Sequence, residues 1–246
     1  MTFAKRVRVA QPLILNLANS VTQQRVADVI SYVGGSPLMT TSMDELEELL
    51  EISDALVLNI GTINDNLLPL YLEAGRLANQ MNKPVILDPV AVMLPYRGRV
   101  VKELLAKIKF AVIRGNASEV AWFAQTTLAG KGIDALVAQP DRDVVKLAAN
   151  NTGAVIVQSG VTDVLSDGHE ILTVEAQSDL FKVNVGAGDM LSALIATYSA
   201  VTEDYFGAAF AATKLFGESG QLAEILVDHR PGLFIDELLN QLHLSK

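Results

Sequence analysis

Hydrophobic residues along this chain follow two alternating patterns. Short, almost unbroken apolar runs occupy residues 13–17, 55–60, 84–87, 110–113 and 154–157, each giving way nearby to Gly, Asp or Asn. Continuous hydrophobicity of this length predicts strands covered on both faces. Between the runs, residues 22–32, 43–52, 67–81, 99–107, 117–123 and 141–150 place apolar side chains at helical spacing. In the acidic stretch 44–51, Leu46, Leu49 and Leu50 are expected to turn inward and the carboxylates to form a solvated face. Strands alternating with helices predict an α/β fold: a mostly parallel central sheet with helices on both faces.

Residues 155–174 break that rhythm. Two apolar runs flank Ser166-Asp167-Gly168 there, which predicts an antiparallel hairpin at one sheet edge. From Gly188 onward the pattern is almost entirely helical. Small residues at Gly207, Ala208, Ala209, Ala211 and Ala212 predict close helix packing.

Composition narrows the class. A chain of 246 residues is long enough for one large α/β domain, spanning 1–246, and does not demand two. Half of it is hydrophobic, yet the apolar runs are broken too soon to span a bilayer. The opening MTFAKRVRVA lacks a signal-peptide core. With no cysteine, disulfides and thiolate metal sites are excluded. These features predict a cytoplasmic protein without a membrane partner. The net charge is −9 and the 19 basic residues form no stripe, which argues against nucleic acid as a partner. His169, His229 and His243 lack ligand spacing and read as surface or structural residues.

Candidate chemistry centres on residues 183–196, VNVGAGDMLSALIA. Gly186, Ala187 and Gly188 form a turn directly ahead of an apolar helix. Glycine lets backbone approach a ligand closely. The first N–H groups of a helix have no internal partners and sit at the positive end of its dipole, so the turn is a candidate anion hole for phosphate. Asp189 follows at once, placed to take a proton from an attacking hydroxyl. It also suits a simple cap, worth about 0.3–1 kcal/mol at a helix start. In open α/β sheets ligands bind beyond the carboxyl ends of the strands. Those ends read Asn59-Ile60-Gly61-Thr62, Asp88-Pro89-Val90, Arg114-Gly115-Asn116 and Ser159-Gly160. Each also suits ordinary loop chemistry, with Asn116 as an N-cap for the helix of Glu119.

Several blocks carry a family likeness: Gly34-Gly35-Ser36-Pro37-Leu38-Met39, Leu56-Val57-Leu58-Asn59-Ile60-Gly61-Thr62, Leu87-Asp88-Pro89-Val90 and Ile113-Arg114-Gly115-Asn116-Ala117-Ser118-Glu119. In their order and spacing the chain resembles the hydroxyethylthiazole kinase family of the ribokinase-like superfamily, from about Pro12 to the C-terminus. The resemblance implies a ribokinase-like three-layer sandwich. It implies ATP-dependent phosphorylation of the primary alcohol of 4-methyl-5-(2-hydroxyethyl)thiazole in thiamin salvage. It further implies Mg²⁺ and a homotrimer with active sites at subunit interfaces. Carried over by position, Met39 lines the thiazole pocket with Asn19 and Gly61 nearby. Arg114 and Ser159 contact ATP phosphates, Gly186 lies at the substrate and the transferring phosphoryl group, and Asp88 and Glu119 organise magnesium.

Three departures from the family pattern bear on function. Asp189 stands where the family usually has cysteine and the wider superfamily aspartate. The family's glycine-rich loop becomes Ala91-Val92-Met93-Leu94-Pro95, a bulkier lining. The family's His and Ile-Thr-Asn become Leu15 and Leu17-Ala18-Asn19, again on the expected alcohol side. These changes keep other readings open: a ribokinase-like kinase for another heterocyclic alcohol such as hydroxymethylpyrimidine, a nucleotide-dependent dehydratase of hydrated NAD(P)H, or a non-catalytic thiazole or nucleotide sensor.

Overall fold

The computed structural model describes residues 1–126, 141–175 and 178–245. Eight strands form one sheet in the order β2-β1-β3-β4-β5-β6-β7-β8. The strands β1 (Leu13–Leu17), β2 (Ser36–Leu38), β3 (Ala55–Asn59), β4 (Val85–Asp88), β5 (Val112–Asn116) and β6 (Val155–Ser159) run parallel. The last two, β7 (Asp163–Ser166) and β8 (Ile171–Val174), are antiparallel and close one edge as the hairpin pattern predicts.

Within the unbroken apolar runs, the pleat sends successive side chains to opposite layers. Ile14, Val57, Ile86 and Val112 enter one core. Leu15, Leu56, Leu58, Leu87 and Ile113 enter the other. The first core is covered by α1 (Phe3–Ala10), α2 (Gln23–Val33), α8 (Ala187–Ser199), α9 (Tyr205–Leu226) and α10 (Pro231–Leu244). The second lies under α3 (Leu46–Ile52), α4 (Leu68–Gln80), α5 (Pro95–Lys107), α6 (Ala117–Phe123) and α7 (Arg142–Thr152). The result is a three-layer α/β sandwich. Leu46 and Leu50 are buried as expected, and Ala208, Ala209 and Ala212 pack without exposure. No described helix is long and apolar enough to cross a membrane.

Two elements escape the hydrophobic pattern. Helix α1 buries only Val7 and is held by its Thr2 cap and by Arg8, which reaches the carbonyls of His243 and Ser245. Strand β2 is a three-residue edge strand containing Pro37, a residue tolerated only where no ladder partner is needed. Helix α5 starts at Pro95, ahead of the expected 99, because proline is favoured in a first turn, where its missing N–H costs nothing.

The topology fixes where a ligand goes. From β1 the chain moves outward to β2, then crosses back to place β3 on the other side of β1. Connections leaving β1 and β3 diverge there and open a crevice at their carboxyl ends. Tyr71, from α4, lies beneath it: its buried hydroxyl is 3.0 Å from the carbonyl of Leu17 and 2.9 Å from that of Asn59. Tyr71→Phe is expected to lose about 1–2 kcal/mol by stripping this donor from buried carbonyls. A chemical denaturation midpoint that drops accordingly, with unchanged slope, checks it.

Candidate active site

Helix α8 is mostly apolar, and every residue from Met190 to Ser199 is buried, so it runs through the core against β1, β3 and β4. Its N-terminus emerges at the crevice. Gly186 begins the helix at φ 89°, a left-handed conformation suited to glycine, and a Cβ there would stand 2.6 Å from Thr22 Cγ2. The Ala187 N–H, expected in the anion hole, is instead taken by the Asn184 carbonyl at 3.3 Å, whereas those of Gly188 and Asp189 find no acceptor among the described residues. They are the free donors of a buried helix start.

Arg114, at the end of β5, lies directly over this N-terminus. Its guanidinium occupies the space that a side chain at Gly188 would need. One terminal nitrogen donates to the Ser159 hydroxyl at the end of β6, another stands 3.8 Å from Asp88 Oδ2, and the buried Nε has no partner among the described residues. A guanidinium packed against the positive end of a helix is unfavourable unless an anion shares the space. The family resemblance placed Arg114 and Ser159 together; the fold brings them into contact.

Asp88 ends β4 and is 1% exposed. Its Oδ2 accepts a 2.8 Å hydrogen bond from Ser192, one helical turn beyond Asp189. Burial pushes the Asp88 carboxyl up to about 7; Arg114 and Ser192 oppose the rise, while the negative charges of Asp189 and Glu119 add to it. Glu119 is more committed. Its Oε2 accepts the N–H of Asn116 and its Oε1 that of Ala91, each at 2.8 Å, while Asn116 Oδ1 accepts the N–H of Glu119. This capping box confirms Asn116 as the N-cap of α6 and ties α6 to the loop after β4.

On the other side of the crevice, Asp189 Oδ2 accepts from the Thr22 hydroxyl and, at 3.3 Å, from Asn19 Nδ2. Gly61 abuts the same Asn19 amide, and Met39 follows the neighbouring β2. Asn19, Met39 and Gly61 thus lie beyond three adjacent strands. Arg97 joins the loops after β3 and β4 by donating to the carbonyls of Gly61 and Val90.

Two departures from the family pattern take on a different meaning here. Leu15 is fully buried in the α3–α4 core, because the pleat turns it away from α8; the change there is one of packing. In the 91–95 loop, Val92 is fully buried in the same core, while Met93 and Leu94 are exposed. The loop divides its bulk between core and surface. The three histidines are exposed; His229 meets Glu224 and His243 the carbonyl of Tyr32.

Beyond β5 and β6 opens a cavity of about 720 Å³. Arg114, Ser159 and Gly188 line it together with Leu191, Phe181 and Phe216, the two phenylalanines stacked at 4.9 Å. A guanidinium, a hydroxyl and an aromatic wall in one cavity suit a nucleotide. Among the described residues no three acidic or histidine side chains converge to hold a metal. Magnesium takes few protein ligands and arrives with substrate phosphates and water, so Asp88, with Oδ1 unpartnered among the described residues, fits it. Sequence reading missed Thr22, Arg97 and Tyr71, whose roles depend on distant chain segments. Ser192 was missed as well, although its i+3 position from Asp189 on the same helical face was a signal for it.

Comparison with known proteins agrees with this arrangement. The hydroxyethylthiazole kinase family model matches residues 4–246. A hydroxyethylthiazole kinase from Lactococcus lactis subsp. cremoris is 54% identical over 99% of this chain and 97% of its own length. One from Clostridioides difficile is 36% identical, over 97% and 92% respectively. The solved hydroxyethylthiazole kinase protein of Pyrococcus horikoshii OT3 superposes with a TM-score of 0.88 at 30% identity, covering 99% of this chain and 92% of that one. At 18% identity and a TM-score of 0.62, a Bacillus subtilis pyridoxal kinase shares the fold, with 86% and 92% coverage. With its whole length matched and its switch-point crevice carrying the Gly186–Asp189 turn, this chain belongs to the hydroxyethylthiazole kinase family.

Proposed function

We propose that this protein, as one kinase domain, transfers the γ-phosphoryl group of ATP to the primary alcohol of 4-methyl-5-(2-hydroxyethyl)thiazole. The observation that carries the reading is the free N-terminus of α8, crowded by Arg114 and opening beside Asp189. In this mechanism ATP lies in the cavity with its phosphates at Arg114 and Ser159, and the alcohol enters between Met39, Asn19 and Gly61. The N–H groups of Gly188 and Asp189 steady the charge on the transferring phosphoryl oxygens. The alcohol oxygen forms the new bond to phosphorus as the bond to the bridging oxygen of ADP breaks. Asp189 takes the hydroxyl proton, and a late transfer suits a weak base because the transition state is loose.

Magnesium, when bound, neutralises phosphate charge. Asp88 is the carboxylate placed to orient it, directly or through water. Glu119, engaged by two backbone N–H groups, adds negative charge and fixes the loop.

Assembly follows the family resemblance. Val21, Met93, Leu94 and Val185 in loops, and Val183 at the end of the 3₁₀ helix Asp179–Val183, are exposed apolar residues near the α8 start and the carboxyl ends of the strands. Packing them against a second copy supports a trimer with sites near its interfaces.

An acceptor panel with ATP and Mg²⁺ tests the function. The thiazole alcohol is expected to give faster ADP release than hydroxymethylpyrimidine, with product mass confirming the phosphate ester. Faster pyrimidine turnover would reassign the substrate. Asp189→Asn should lower kcat on the order of 10²–10⁴-fold while nucleotide still binds.

The raised Asp88 value gives a stability prediction for the metal-free protein. The folded state holds this proton more tightly than the unfolded chain, so the contribution is full below the ordinary value of 3.8 and is lost as pH rises through about 7. Urea midpoints of wild type relative to Asp88→Asn should therefore fall between those limits and level off above them. A constant difference across that window would show that Asp88 does not titrate this way. For assembly, light scattering at micromolar concentration should return three times the chain mass; a monomer mass with and without ligand would exclude the trimer.

A further inference from the structure

We propose that Thr22 is the positioning residue for Asp189: it holds one carboxylate oxygen and leaves the other to the acceptor alcohol. The inference rests on the reading of Asp189 as proton acceptor.

Thr22 sits just ahead of α2 and is only 3% exposed. Its hydroxyl has one proton and two acceptors within reach, the Asn19 carbonyl at 3.4 Å and the closer Asp189 Oδ2. A charged acceptor at shorter range takes the proton. Asn19 Nδ2 donates to the same Oδ2, at 3.3 Å. Both donors thus load one oxygen, and Oδ1 has no hydrogen-bond partner among the described residues. A carboxylate held through one oxygen cannot rotate freely, so Oδ1 keeps a fixed direction toward an incoming hydroxyl. As phosphorus–oxygen bond formation proceeds and ADP departs, the alcohol proton moves to Oδ1.

The position of Thr22 is set by packing on a rigid element. Arg25, three residues along α2, donates to the carbonyl of Val185, and α2 packs along α8. Thr22 Cγ2 also fills the space that Gly186 leaves open. One side chain therefore packs the anion-binding turn with its methyl and orients the base with its hydroxyl. These two jobs separate by substitution. Thr22→Val keeps the branched shape and removes the hydroxyl; Thr22→Ser keeps the hydroxyl and removes the methyl.

Steady-state ADP release, with ATP, Mg²⁺ and the thiazole alcohol, is to be compared for Thr22→Val, Thr22→Ser, Asp189→Asn and the Thr22→Val/Asp189→Asn double variant. Thr22→Val should lower kcat on the order of ten- to a hundredfold, with KM for ATP within about twofold. Thr22→Ser should stay within about threefold of wild type, and Thr22→Val should add no more than about twofold to the loss in Asp189→Asn. If Thr22→Val does not fold, Thr22→Ala takes its place against Thr22→Ser. Wild-type kcat in Thr22→Val, equal impairment in Thr22→Ser, or losses that multiply in the double variant would overturn the role of Thr22 and leave Asp189 as the base. Near-wild-type kcat in Asp189→Asn would instead remove the base reading, and this inference with it.

Discussion

The structure turns on a buried helix start that faces a guanidinium. Helix α8 is enclosed on all sides, so its unpaired N–H groups open only into the crevice between strand ends. Arg114 lies against that start with its buried Nε unpartnered. Two sources of positive potential at one point are stable when an anion lies between them. The neighbouring features follow from this constraint: Gly188 because Arg114 occupies its side-chain space, Ser159 because it takes one guanidinium nitrogen, and Asp88 because a carboxylate offsets part of the excess charge.

Three acidic side chains lie around this positive centre, and each is restrained differently. Glu119 has both oxygens engaged by backbone N–H groups and serves the architecture of α6 and the loop after β4. Asp88 is the most deeply buried, and burial favours its protonated form until a cation compensates. Asp189 is less buried, with one oxygen held by Thr22 and Asn19. The three carboxylates thus differ in their partners rather than in residue type.

The departures from the family pattern separate along the same physical lines. Leu15 and Val92 are accommodated in the core under α3–α5, away from α8. Ala91 keeps a left-handed backbone at φ 56°, an unusual conformation for a residue with a Cβ, and its N–H is held by Glu119. The loop therefore preserves a turn that glycine adopts more readily, with a hydrogen bond to secure it. Aspartate at 189 is the departure that lies at the α8 start in the crevice, and it comes with a hydroxyl partner at Thr22.

The amino-acid sequence by itself determined the layers and the anion turn. Unbroken runs such as 55–60 and 84–87 require cover on both faces, and a mostly apolar helix after Gly188 must be buried with its start exposed to something polar. Those are local properties of hydrophobicity and backbone freedom, so they are legible in one dimension. The short edge strand carrying Pro37 and the polar helix α1 were not, because their stability comes from partners far along the chain. The same distinction holds at the site. Arg114, Ser159, Asp88 and Asp189 were identifiable from strand ends and the glycine turn. Only the tertiary structure decided that Arg114 covers Gly188, that Ser192 holds Asp88, and that Thr22, 167 residues from Asp189, meets its carboxylate. Hydrogen bonds and charge pairing depend on distances of a few ångströms, and those distances are set by how α2, α8 and the strand ends pack together.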